Sequence, residues 1–216
     1  DIFTGLYSVI AIQAALRHAE RTGEGQWIDM ALFDTQISVL GNQNLNYLVS
    51  GKAPVQMGNA HMNIAPYEVL PVRDGHIILA VGNDGQFRGF CGVAGLSELA
   101  TDPDYATNPA RVANRAALRD KMIAALSGWD REPLLKKLEA ANVPASPINN
   151  IAEMFADPQT IARKMRMDLP DGHGNELPSV RAPMVMSGTP LRYERPSPRL
   201  GEHTAEILAE LEKSGK

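Results

Sequence analysis

From Ile2 to Leu16 the sequence DIFTGLYSVIAIQAAL carries apolar residues around nearly the whole circumference of a helix. A helix of that kind requires cover on every side. The stretch falls short of the roughly 20 residues that a bilayer span needs. It also holds Thr4, Ser8 and Gln13 and has no basic region before it, so it reads as a buried helix of a globular domain. Gly5, Ser8, Ala11, Ala14 and Ala15 permit close packing against a neighbour. Asp1 or Thr4 suits the N-cap, Arg17 and His18 suit the C-terminal dipole end, and Thr22-Gly23-Glu24-Gly25 stops the helix.

The pattern then changes. In QWIDMAL, Trp27, Asp29 and Ala31 alternate with Ile28, Met30 and Leu32, which predicts a half-buried strand. FDTQISVLGNQNLNYLVSG returns to helical spacing and predicts one long helix, and KAPVQMGNAHMN has no period and reads as a linker or functional loop. Beyond it, YEVLPV and HIILAV flank Arg73-Asp74-Gly75 as a hairpin. A helix follows over Asp84 to Ala94, burying Phe87, Phe90 and Cys91. Asn114 is expected to cap a helix with Leu118, Met122, Ile123 and Leu126 inward, and Asp130 another with Leu134, Leu135 and Leu138 inward.

NVPASPINN is a proline-punctuated connector, after which Asn150 and Asp157-Pro158 start two short helices. KMRMDL and ELPSVRAPM read as strands around Pro170-Asp171-Gly172-His173-Gly174. SGTPLRYERPSPRLGEHT then runs extended into a terminal helix through Ile207 and Leu211. No internal repeat or low-complexity tract interrupts this order.

Several kinds of chemistry drop out. A net charge of −4, with basic residues dispersed along the chain, leaves no footprint for nucleic acid or an anionic membrane. The single cysteine, Cys91, cannot close an internal disulfide, and there is no Asn-X-Ser/Thr triplet, so a cytoplasmic setting is expected. The five histidines are scattered and no cysteine pair exists, so no metal site is expected. GEGQWI lacks the third glycine of a dinucleotide fingerprint and precedes a strand-like segment where the mechanism requires it to follow one. No Gly-x-Ser-x-Gly elbow is present, and Cys91 lies on a core face.

Asp1 and the loop MGNAHMNIAPY remain. A helix-start carboxylate ordinarily caps, accepting from free backbone N–H groups. The same donors favour its ionised form, which is the form a carboxylate nucleophile needs. Gly58 and Asn59 suit a turn, and His61 suits either a hydrogen-bonded loop histidine or a site residue.

The run DIFTGLYSVIAIQAALRHAERTGEGQWIDMALFD resembles the stretch of class III CoA-transferases, the family of formyl-CoA transferase and carnitine CoA-transferase, that begins at their catalytic aspartate. The likeness continues through MGNAHMNIAPYEVLPVRDGHIILAVGNDGQF, NVPASPINNIAEMFADPQTIARKM and PRLGEHTAEIL, covering nearly the whole chain in the family's order. It implies an α/β fold in which residues 1–50 finish a Rossmann-like large domain and 51–65 form a linker and active-site loop. Residues 66–145 would then be a small α/β domain, and 146–216 a connector, hairpin and return to the large domain.

The resemblance places the family's nucleophile on Asp1 and its closing loop on Gly58 to Ile64, with Gly58, Asn59, His61 and Asn63 as substrate-binding candidates. It implies no cofactor beyond coenzyme A carried as a thioester substrate. The partners implied are an acyl-CoA and a small carboxylic acid, with an interlocked homodimer and an upstream half of the same enzyme holding most of the CoA nucleotide site. Where formyl-CoA transferase looks glycine-rich, this chain has His61-Met62-Asn63-Ile64, like dicarboxylate-type relatives with GNAH, which implies a succinyl-CoA-like donor. Two other readings stay open: an acyl-CoA racemase on the same scaffold, with the aspartate as base, and a non-catalytic assembly module.

Overall fold

The computed structural model describes residues 1–214. The chain divides into two compact units, Asp1–Ala60 and His61–Lys216.

In the first unit, α1 (Ile2–Thr22) starts at Asp1 and ends where Gly23 turns left-handed at φ 78°, its N–H returning to the Ala19 carbonyl. Both ends fall where the capping residues place them. The expected burial does not occur: no residue of α1 is buried, and Ile2 and Ile10 remain 76% and 64% exposed. Within its own unit α1 packs on the short α2 (Leu32–Ser38), which α3 (Asn42–Ser50) follows along the chain, and a helix apolar on all sides outruns what α2 covers.

Two further expectations fail here. QWIDMAL forms no strand: Ile28 and Met30 are half-buried while Trp27, Asp29 and Ala31 face out, so the alternation survives, but no strand among the described residues pairs with it. An extended segment becomes a strand only through a ladder partner. The single long helix is two, because Gly41 at φ 61° breaks the path between α2 and α3. Thr35, whose hydroxyl donates back to the Ala31 carbonyl at 3.1 Å, is the only buried residue of this unit.

The second unit has a core of its own. Strands β1 (Tyr67–Val72) and β2 (Gly75–Ala80) pair antiparallel from Tyr67↔Ala80 to Val72↔Gly75, and β3 (Ala145–Pro147) adds to β2. Gly75 is required at the turn, since it lies at φ 149° and an added Cβ would stand 3.2 Å from Arg131 Nε. Against the sheet pack α6 (Arg115–Leu126) and α7 (Arg131–Ala140), α4 (Asp84–Ala94) packs on both helices, and α5 (Asn108–Ala113) leads into α6. Leu70, Ile77, Leu79, Phe87, Phe90, Cys91, Leu118, Met122, Leu126, Leu134 and Leu138 are buried between them. Ile123 and Leu135 sit at the edge of this core, partly buried.

The hairpin and α4 match the expectation, and Asn83 caps α4 by accepting from Gln86 N at 2.9 Å. Two of the foreseen caps work differently. Asn114 stands before α6, yet its side chain donates to the Asp104 carbonyl instead of accepting from the helix. Asp130 stands before α7, but its carboxylate pairs with Arg73, and the Arg131 N–H is taken by Asp74 Oδ1 at 2.8 Å. The connector NVPASPINN also hides β3, a strand that sequence reasoning did not find.

Asn150 opens α8 (Ile151–Ala156) with a complete capping box: its side chain accepts from Glu153 N, and Glu153 accepts from Asn150 N. Asp157 caps α9 (Pro158–Ala162). Strands β4 (Arg166–Pro170) and β5 (Glu176–Val180) form the second hairpin, and an extended stretch precedes α10 (Thr204–Ser214), all as the turn residues foretell. Among the described residues no helix is long and apolar enough to cross a membrane.

Candidate active site

Asp1 owes its position to α1. Its carbonyl receives the helix's first hydrogen bond, from Gly5 N at 2.7 Å, and its exposed carboxylate accepts from Ile2 N at 3.0 Å. An ordinary cap reaches one or two residues further along the helix. The carboxylate opens instead onto a cleft of about 300 Å³ between the starts of α1 and α2, lined by Thr4, Leu32, Thr35 and Gln36 among others. That volume lies at the lower end of small-ligand sites. A nucleophile here would have a helix N-terminus behind it, which favours negative charge.

Gly58, at φ 60°, lies on a different and larger cleft of the first unit, about 830 Å³, walled by Ile37, Leu40, Tyr47, Leu48 and Met57. Asp1 does not line that cleft, so within this unit the two candidates face separate cavities. Asn59 lies in the turn that Ala60 N closes on the Met57 carbonyl at 3.2 Å.

His61 and Asn63 belong to the second unit, and the structure brings them together. Asn63 N donates to His61 Nδ1 at 3.1 Å, which leaves the ring proton of the neutral imidazole on Nε2 as a donor. The ring stacks on Tyr67 with centroids 5.4 Å apart, and His61 N donates to the Tyr67 carbonyl at 2.9 Å.

Sequence reasoning missed the residues that hold this limb of the loop. Arg115 donates from Nη1 to the His61 carbonyl at 3.0 Å and from Nη2 to the Met62 carbonyl at 2.7 Å. Asn108 donates to the Asn63 carbonyl at 2.9 Å and accepts from Ala65 N at 3.1 Å. Arg111, fully buried, donates from Nε to the Ala65 carbonyl at 2.6 Å, bonds the Tyr105 carbonyl, pairs with Asp84 at 2.7 Å and lies over the Phe87 ring. Arg119 continues the row by pairing with Glu68 at 2.8 Å. The signal was present in NPARVANRAALRD: Asn108, Arg111, Arg115 and Arg119 recur at helical spacing.

Burial pushes the Cys91 thiol up to about 11, against the opposing pull of Arg111, so it is no nucleophile at neutral pH. Among the described residues no group of His, Cys, Asp and Glu side chains is placed to hold a metal ion.

The sequence pattern that defines CoA-transferase family III matches residues 1–204. This chain belongs to that family. A family III relative, the succinate–glutarate CoA-transferase of Agrobacterium fabrum, is 59% identical over 212 residues, covering 98% of this chain and 53% of that protein. The succinyl-CoA:mesaconate CoA-transferase of Haloarcula hispanica is 35% identical over 211 residues, 97% of this chain and 52% of that one. The crystal structure of a CaiB/BaiF family protein from Brucella suis matches with a TM-score of 0.79 at 54% identity, covering 97% of this chain and 54% of its own, which supports the mixed α/β fold. The chain thus spans about half the length of the family III relatives it matches.

Proposed function

We propose that this chain supplies the catalytic-aspartate half of an enzyme that moves coenzyme A from a succinyl-CoA-like donor to a carboxylic acid. The reading rests above all on Asp1, an exposed carboxylate at the N-terminus of a 21-residue helix, opening onto a cleft of acyl-group size. The names of the relatives supply the donor class: one acts on succinate and glutarate, another on succinyl-CoA and mesaconate.

The chemistry follows from a carboxylate nucleophile. An Asp1 oxygen attacks the thioester carbonyl, the C–S bond breaks, and CoA thiolate leaves a mixed anhydride of Asp1 and the acyl group. The thiolate returns to the Asp1 carbonyl, expels the donor acid as its carboxylate and forms an aspartyl-CoA thioester. The acceptor carboxylate attacks that carbonyl, thiolate leaves again, and its attack on the acceptor's carbonyl yields the new thioester and frees Asp1. Water would hydrolyse each intermediate, so the loop Gly58 to Ile64 is assigned to exclude it. His61 Nε2–H or Asn63 would donate to a developing oxyanion, with Gly58 and Asn59 shaping the loop's backbone around the substrate.

In this reading the upstream half of the enzyme holds the CoA nucleotide, two copies interlock as a homodimer, and the setting is cytoplasmic. The exposed apolar residues of α1 support such a partner surface.

The test is the intact mass of the full-length enzyme before and after incubation with succinyl-CoA. A CoA or acyl adduct localised to Asp1, absent from Asp1→Ala, is expected, together with loss of transfer in Asp1→Ala and Asp1→Asn. Undiminished transfer by Asp1→Ala would sink the reading. Deuterium entering the α-carbon of an acyl-CoA without any acceptor acid would replace it with racemisation.

A further inference from the structure

The stretch from His61 to Ala65 has no regular secondary structure, yet its main-chain groups are held one after another by side chains of α5 and α6. The carbonyls of His61 and Met62 go to Arg115, the carbonyl of Asn63 and the amide of Ala65 go to Asn108, and the carbonyl of Ala65 goes to Arg111. An irregular backbone meets its hydrogen-bonding needs through just such partners. A planar guanidinium spans two neighbouring carbonyls with a rigid fork that a compact ammonium does not reproduce. Before His61, Gly58 is left-handed with open space where a Cβ would stand, and the boundary between the two compact units falls between Ala60 and His61.

Resting on the assignment of this loop to the proposed transfer reaction, we propose that Arg115 and Asn108 are positioning residues. They fix the His61 to Ala65 limb to the second unit and hold the His61 ring with Nε2–H as its donor. Any closure of the loop would then leave the His61 to Ala65 limb in place. Arg115 does not touch the reacting atoms. It sets the path of the main chain, and the path sets the Asn63 N–H to His61 Nδ1 bond.

The experiment is residue-resolved amide exchange on the full-length enzyme, read beside steady-state kinetics. In Arg115→Ala the Asn63 amide is expected to exchange about tenfold faster, as for the loss of a single hydrogen bond. The β1 and β2 amides should keep their rates. Arg115→Lys should behave as Arg115→Ala at Asn63. Asn108→Asp keeps an acceptor, so the Ala65 amide should stay protected there and lose protection in Asn108→Ala.

In the kinetics, kcat for transfer should fall roughly tenfold in Arg115→Ala with the donor KM nearly unchanged, and acyl-CoA hydrolysis per transfer should rise. Unchanged exchange at Asn63 would overturn the positioning role, and so would faster exchange spread evenly through β1 and β2. A rise in KM with kcat intact would overturn its part in the reaction. Should Asp1→Ala keep transfer activity, the reading of the reaction fails, while the exchange pattern still decides whether Arg115 and Asn108 hold the limb.

Discussion

The two units of the chain are built from similarly apolar sequence and come out oppositely. The second encloses a core between Ala65 and Val143, where Phe87, Phe90, Leu70 and Leu134 have no exposure at all, although Ile151 and Leu200 farther along are exposed. The first leaves Ile2, Phe33 and Leu48 more than 70% exposed and buries Thr35 alone. Apolar content does not by itself make a core, because burial needs a second layer at the right distance. A hairpin and three helices supply that layer in the second unit, whereas the helices of the first have no sheet of their own to lie on.

This contrast is open to direct tests. The largest effect is expected in the core of the second unit, where Phe90→Ala should lower unfolding free energy by about 3–5 kcal/mol in urea titrations. A loss under about 1 kcal/mol would break the comparison from that side.

Next comes Arg111→Met. It leaves the Ala65 and Tyr105 carbonyls without their donor, at roughly 1–3 kcal/mol for each orphaned group that stays dry. Asp84, which is 45% exposed, recovers water and adds little. The same titration measures this loss, and full recovery in Arg111→Lys would show that charge rather than the forked geometry matters.

Asn150→Ala removes one limb of a capping box and should cost about 1 kcal/mol, seen as faster amide exchange at the start of α8 with the main core unchanged.

A smaller, pH-dependent effect sits in the second hairpin. The Asn175 side-chain amide, joined by the backbone N–H groups of Asn175 and His173, holds the Asp171 carboxyl down to about 2 from an ordinary 3.8. A depressed folded-state value stabilises the turn above the unfolded value and ceases to do so as pH falls from about 4 through about 2. Amide shifts of His173 and Asn175 should therefore titrate with a midpoint near 2, and a midpoint near 4 would refute the assignment.

The smallest effect belongs to the first unit. Leu6→Ala in this chain should change stability by no more than about 0.5 kcal/mol, since Leu6 is 57% exposed. The same change in the full-length enzyme sharpens the comparison, because a partner surface over α1 would turn it into a core substitution of about 2–5 kcal/mol.

What could be read in advance follows the range of the interactions concerned. α4, the first hairpin and the capping box at Asn150 depend on residues a few positions apart, and sequence spacing carries that information. The QWIDMAL segment kept its alternation and failed as a strand, because pairing is a property of two segments and only one is legible locally. β3 was hidden by the prolines that flank and end it, since an edge strand tolerates Pro where a central one does not. Of the candidate site, the cap at Asp1 and the loop's irregularity were visible. The Asn108 to Arg119 row was visible as a periodicity, but its target lay more than 40 residues away, beyond what spacing reveals.

Arg115, Asn108 and Arg111 grasp carbonyls and an amide, groups that nearly every residue type brings with it. The course of the limb is therefore held chiefly through its backbone, with the His61 ring adding one bond of its own, to the Asn63 N–H. A change of side chain there leaves the carbonyls and the amide, and so the mount that holds the limb, in place.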